Sequence, residues 1–339
     1  MPAAPVTSLA SPITTAAVRP TAAVRSMAAT VPRRAAERID VHQHLWPEQL
    51  IEGLRRRTEA PMLRGWTLIA AGEAPYQVDP ADHDLSRRSR LDSDCARVLL
   101  SMSTPLGIES LPPAQAQPLL DAWRDGVREL PEPFAGWAAV SEIDPDLGAL
   151  SQDLASDTFV GLQISATLLA DPAGVERMAA VLRCCEGQNK PVLVHPGPVG
   201  STSGRRGGSP EPRTPSWWPA VVDYPAQLQA AWWAWQVAGP SLLPDLRVCF
   251  VAGAGLAAIH HERFEARSGC SAVLQQNVYV DTSSYGRQGI DALVRALGLD
   301  PIVLGSDRPY AGPTDPQLGE AAWHAISVTN PARLLKGIR

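Results

Sequence analysis

Eight short apolar runs, separated by longer stretches of helical character, constrain the fold of this chain more than any other feature. The first is Arg38-Ile39-Asp40-Val41-His42-Gln43-His44, followed by residues 97–102, 135–140, 160–164, 191–195, 247–252, 278–282 and 301–307. Runs this apolar suit strands covered on both faces, as in a parallel sheet. Between them, residues 172–186 read as a helix, opened by Asp171 as N-cap with Pro in the first turn and closed at Gly187. Residues 226–237, stopped by Gly239 and Pro240, and residues 288–297, ending at Gly298, read likewise. Eight β units joined by helices predict an α/β fold of closed (β/α)8 type, a TIM barrel. The GxGxxG signature of a dinucleotide-binding open sheet is absent after the first strand.

The 339 residues accommodate one such barrel over 37–339 and a tail before it. Residues 1–36 hold no acidic residue, carry Arg19, Arg25, Arg33 and Arg34, and have no unbroken apolar run of signal-peptide type. They read as a disordered tail or an upstream start, with a transit peptide as the alternative. Two further segments are irregular. Residues 46–83 read as an elaborated loop with a helix over 48–57, and residues 197–219 as a disordered stretch or a lid carrying Arg205, Arg206 and Arg213.

A net charge of −5 gives no reason to expect nucleic acid or an anionic membrane as partner. No run approaches the roughly 18 apolar residues of a membrane span. Of five cysteines, Cys184 and Cys185 are adjacent and no CxxC pair occurs, which reads as reduced thiols in a cytoplasmic protein.

His42 and His44, two apart on one strand, point to the same face, at the strand's C-terminal end where barrel enzymes build their sites. His195 closes the fifth strand and Asp307 the eighth. A closed barrel brings these four residues together above its core, and they are metal-binding types.

The run Ile39-Asp40-Val41-His42-Gln43-His44-Leu45-Trp46 resembles the opening of the amidohydrolase-related family of metal-dependent hydrolases and decarboxylases. Further resemblances follow in order: Val194-His195-Pro196-Gly197, Leu243-Pro244-Asp245-Leu246-Arg247, Asn277 to Ser283, Gly305 to Tyr310, and Asn330-Pro331-Ala332-Arg333-Leu334-Leu335. They lean towards the branch containing aminocarboxymuconate-semialdehyde decarboxylase. The resemblance implies that His42, His44, His195 and Asp307 ligate one divalent ion, zinc first and manganese second. Many relatives place a carboxylated Lys on the fourth strand to bridge two metals; Gln163 stands here and favours a single ion. The family's sixth-strand His is replaced by Gly253, with His260 and His261 a few residues on as candidate substitutes.

A divalent ion with an open position lowers the pKa of its water towards roughly 7. The expected reaction is hydrolysis of an amide, lactone or related bond in a small molecule, with Asp307 as base. The alternative is non-oxidative decarboxylation, for which Arg308 or the loop arginines would hold the departing carboxylate. A non-catalytic metal- or ligand-binding barrel is the third reading. Trp46 is a candidate for the pocket wall, and Tyr285 and Gln163 for orienting substrate, while Trp217 and Trp218 are placed to close over it. Trp232, Trp233 and Trp235 read as helix packing or a homodimer interface.

Overall fold

In a computed structural model of the chain, which describes residues 37–71, 75–199, 214–271 and 275–337, all eight expected strands are present. The segment read as a tail, together with Arg205, Arg206 and Arg213, lies outside the described residues. The first barrel strand is β1 (Arg38–Gln43). After it come helix α1 (Glu48–Arg56) and three short strands, β2 (Met62–Arg64), β3 (Thr67–Ile69) and β4 (Tyr76–Gln77). These three pair as a small antiparallel sheet, so the elaborated loop is a folded extension. Helix α2 (Leu85–Leu91) leads back to the barrel.

The barrel continues with strands β5 (Cys95–Leu100), β6 (Phe134–Ala138), β7 (Phe159–Ser165), β8 (Val192–His195), β9 (Val248–Phe250), β10 (Val278–Asp281) and β11 (Ile302–Val303). Between them run helices α3 (Pro113–Arg128), α4 (Leu147–Leu154), α5 (Pro172–Gly187), α6 (Tyr224–Leu242), α7 (His261–Ser268) and α8 (Arg287–Leu297). Helices α9 (Glu320–His324) and α10 (Asn330–Lys336) follow the last strand. Every barrel strand pairs in parallel with the next, in the order β1-β5-β6-β7-β8-β9-β10-β11. Backbone bonds from Val41 N to Leu304 O (2.9 Å), Asp307 N to His42 O (2.8 Å) and His44 N to Arg308 O (2.6 Å) close the seam between first and last strands. The fold is a (β/α)8 barrel.

The expected helix signals operate locally. Asp171 caps α5 by accepting from Gly174 N at 2.7 Å. Helix α6, by contrast, continues past Gly239 and Pro240 to Leu242. One proline removes one donor, and packing of this helix against the barrel outweighs that loss near its end. Trp232 and Trp235 are buried within the chain, and Trp233 stacks on Phe264 at 5.3 Å, so intrachain packing accounts for the tryptophan group. The sixth barrel strand ends earlier than expected. From Ala252 to Leu256 five successive residues have positive φ, between 46° and 62°, a left-handed turn that breaks the ladder.

Among the described residues no helix is long and apolar enough to cross a membrane, and all five cysteines are free.

Candidate metal centre

The strand ends bring His42, His44 and His195 together, each at most 6% exposed. Their ligand atoms lie within 4.8 Å of one another, and among the described residues they form the one such group of His, Cys, Asp or Glu. The three rings stand nearly perpendicular, with centroids 5.0 to 5.2 Å apart. Each Nδ1 faces an acceptor: Asp281 Oδ2 at 2.8 Å for His42, Ser101 O at 3.0 Å for His44, and Pro196 O at 3.0 Å for His195. With the proton drawn to Nδ1, each Nε2 keeps its lone pair for the common centre.

The Nε2 atoms of His42 and His44 lie 3.2 Å apart. Two nitrogens bound to one ion at about 2.0–2.1 Å stand roughly 2.8–3.4 Å from each other at octahedral or tetrahedral angles, so His42 and His44 fit a shared cation. Burial lowers the pKa of His44 and, much further, that of His195, which keeps both rings neutral and able to donate a lone pair. Burial would lower His42 as well, but the bond and charge of Asp281, with the charges of Asp307 and Asp40, together outweigh this and raise it. In the presence of a cation the same carboxylate makes His42 a more basic ligand.

Asp307 approaches from the end of the eighth strand, with φ 57°, a left-handed conformation that Asp tolerates better than most residues. Its Oδ1 lies 3.1 Å from His44 Nε2 and 3.7 Å from His42 Nε2. Its Oδ2 accepts a hydrogen bond from Ser284 Oγ at 3.1 Å. Burial alone would raise the Asp307 carboxyl, yet its place beside His44, His42 and His195 holds it down at about 2.

Asp281 is the functional residue that sequence reasoning passed over, although it lay inside a quoted run. It is fully buried, and its Oδ1 accepts from Ala252 N (2.7 Å), Ser283 N (2.9 Å) and Ser283 Oγ (2.6 Å). Gly305 makes room for it, since a Cβ there would sit 2.4 Å from Asp281 Oδ2. The available signal was an acid at the C-terminal end of a barrel strand. Ser103 and Tyr310 were passed over too: Ser103 Oγ lies 2.9 Å from His44 Nδ1, and the Tyr310 ring lies 5.4 Å from that of His44. Trp46 is buried and stacks on His83 at 4.4 Å, in a wall that Trp66 extends. Burial and the charge of Arg88 push His83 down to about 3, so it is a neutral ring.

Other candidates lie elsewhere. Arg308 pairs with buried Asp92, behind the first strand. The amide of Gln163 is engaged at both ends, accepting from Met102 N at 2.8 Å and donating to Glu109 Oε1 at 2.6 Å. A side chain at Gly253 would meet Leu293 at 2.7 Å and Tyr285 at 3.4 Å, so this position and Tyr285 belong to the packing against α8. His260 is exposed. His261 packs on Trp232 and Trp233 and borders Val278 and Pro301, at the opposite end of the strands from the histidine cluster. Neither replaces the sixth-strand His, because the left-handed turn carries the chain down the outside of the barrel. Trp217 and Trp218 pack on each other at 5.8 Å ahead of α6, with Trp217 exposed.

Three histidines gathered at the C-terminal mouth of a closed barrel, with Asp307 beside them, could hold a metal ion. Solved structures share this fold. IDCase of Metarhizium anisopliae in apo form matches with a TM-score of 0.66 at 18% identity, over 88% of this chain and 97% of its own. A 2,6-dihydroxybenzoate decarboxylase from Rhizobium matches with a TM-score of 0.62 at 15% identity, over 89% and 99% of the two chains. A 5-carboxyvanillate decarboxylase from Novosphingobium aromaticivorans, complexed with manganese, matches with a TM-score of 0.65 at 16% identity, over 88% and 96%. An amidohydrolase II protein also has this fold. No protein-family model matches the sequence, and no curated protein matches it.

Proposed function

We propose that this chain is a metal-dependent, non-oxidative decarboxylase of a small carboxylic acid, with hydroxylated aromatic acids as the first class to try. The observation that carries this reading is the gathering of His42, His44 and His195 at one point with Asp307 Oδ1 beside His44, while the second Asp307 oxygen already accepts a hydrogen bond from Ser284. Hydrolysis in the form first expected asks that second oxygen to take a proton from water as well as keep its bond from Ser284. Decarboxylation does not. The carbon–carboxylate bond breaks, CO2 leaves, and the carbon takes up a proton in place of the carboxyl group.

What a bound divalent ion supplies is Lewis acidity towards the substrate's oxygens as negative charge develops. His42, His44, His195 and Asp307 would hold it, with Nδ1 partners that keep each ring in place. Tyr310, set edge-on to His44 and tilted against Tyr76, offers aromatic surface beside the cluster, which suits a planar ring. The fold neighbours whose names record decarboxylation of 2,6-dihydroxybenzoate and 5-carboxyvanillate support the same class.

The test loads purified protein with manganese or zinc and assays CO2 release from a panel of hydroxylated benzoates, beside amide and lactone substrates. CO2 release that disappears in His195→Ala is the expected result. Cleavage of lactones or amides without CO2 would sink the decarboxylase reading, and turnover of nothing in the panel with metal bound would favour a binding barrel.

A further inference from the structure

Among the non-glycine residues near the histidine cluster that hold left-handed backbones are Ser284 at φ 63° and Asp307 at φ 57°. L-residues avoid this region, and pairs of them in contact mark places where a particular side-chain direction is enforced. These two are joined by the hydrogen bond from Ser284 Oγ to Asp307 Oδ2 at 3.1 Å. The carboxylate is otherwise free to turn about its last torsion, which is broad and roughly two-fold. Ser284 removes that freedom: with Oδ2 taken, Oδ1 faces His44 Nε2 at 3.1 Å. Three side chains at and just after the end of the seventh barrel strand thus serve ligands, Asp281 bonding His42, Ser283 holding Asp281, and Ser284 bonding Asp307.

We propose that Ser284 is a positioning residue of the metal centre, whose hydroxyl holds Asp307 so that it offers the centre a single oxygen. This rests on the metal-centre reading above. Ser284 itself is exposed, so replacing it disturbs no core packing.

The experiment uses full-length Ser284→Ala and Ser284→Gly, stripped of metal, with manganese and zinc affinities measured by chelator competition and metal-free melting followed by circular dichroism. Both variants are expected to lose about tenfold or more in affinity, to the same extent, with melting close to wild type. Glycine is at ease at positive φ and alanine is not, so a role confined to the backbone would separate the two variants. A glycine variant that binds as wild type does, or two variants that both do, would overturn the proposal while leaving the metal centre standing. A wild type that takes up neither ion would overturn the centre itself, and this inference with it.

Discussion

Side chain by side chain, what surrounds the centre decides which proton sits where. Glu109 shows the effect most clearly. It is buried, accepts one bond from Gln163 Nε2 at 2.6 Å, and leaves its Oε2 without a hydrogen-bond partner. Burial raises its carboxyl to about 8, reinforced by nearby Glu142, itself raised by burial to about 7. A carboxyl whose folded pKa is raised contributes its full stability below the unfolded value of about 4.3 and loses it as pH climbs through the folded one. Wild type should therefore lose melting temperature relative to Glu109→Gln between about pH 5 and pH 8, the amide keeping the acceptor for Gln163. Parallel melting curves for the two proteins across that range would show that Glu109 is ionised in the fold. None of this was legible in the sequence, where Gln163 read as a substrate contact. Its partners come from residues 54 and 61 positions away, a separation that no local pattern records.

At the level of elements, the seam between β1 and β11 is held from behind by a buried polar network. Asp40 accepts from Ser306 N at 3.0 Å and His42 N at 3.2 Å, and Gln43 Nε2 bonds both Asp40 and Asp92. Arg88 on α2, only 1% exposed, donates to His44 O at 2.6 Å and reaches the Gln43 side chain. Asp92, fully buried, is paired with Arg88 and Arg308. Removing one partner of a buried ionic group costs more than the pair contributes, because the other charge is left in the interior. Arg88→Met, which keeps the stem and loses the donors, should destabilise the protein by about 3 kcal/mol in denaturant unfolding. A cost below about 0.5 kcal/mol, the level of an ordinary surface substitution, would mean that the network does not hold the seam. The extension that precedes α2 was only half legible. Its helix at Glu48–Arg56 agrees with expectation to one residue, but β2, β3 and β4 are two or three residues long, too short for alternation to register.

For the whole molecule, the centre joins strands far apart in sequence, so a bound ion should stabilise the folded chain as a unit. The ligands assemble only when β1, β8 and the end of β11 are in place, and a ligand that binds only the folded state adds stability by mass action. At about one hundred times its dissociation constant an ion adds roughly 2.7 kcal/mol, which should appear as a rise of a few degrees in melting temperature on adding manganese or zinc and vanish with chelator. The gain should fade in acid as the histidine ligands take up protons. A melting temperature indifferent to both ions would argue against the site.

The sequence by itself determined the number and order of the barrel strands and the three histidines at their ends, because strand periodicity and residue type are local properties. It also placed His42 and His44 on one face, through the two-residue repeat of a strand. Only the tertiary structure decided which polar atoms are already occupied. Arg308 turned to Asp92 and Gln163 to Glu109, and neither His260 nor His261 took the place of the missing sixth-strand His. Asp281 emerged as the partner of His42 from 239 residues away. Hydrogen bonds of that kind are set by how the closed barrel juxtaposes distant strand ends, and closure is a property of all eight strands together.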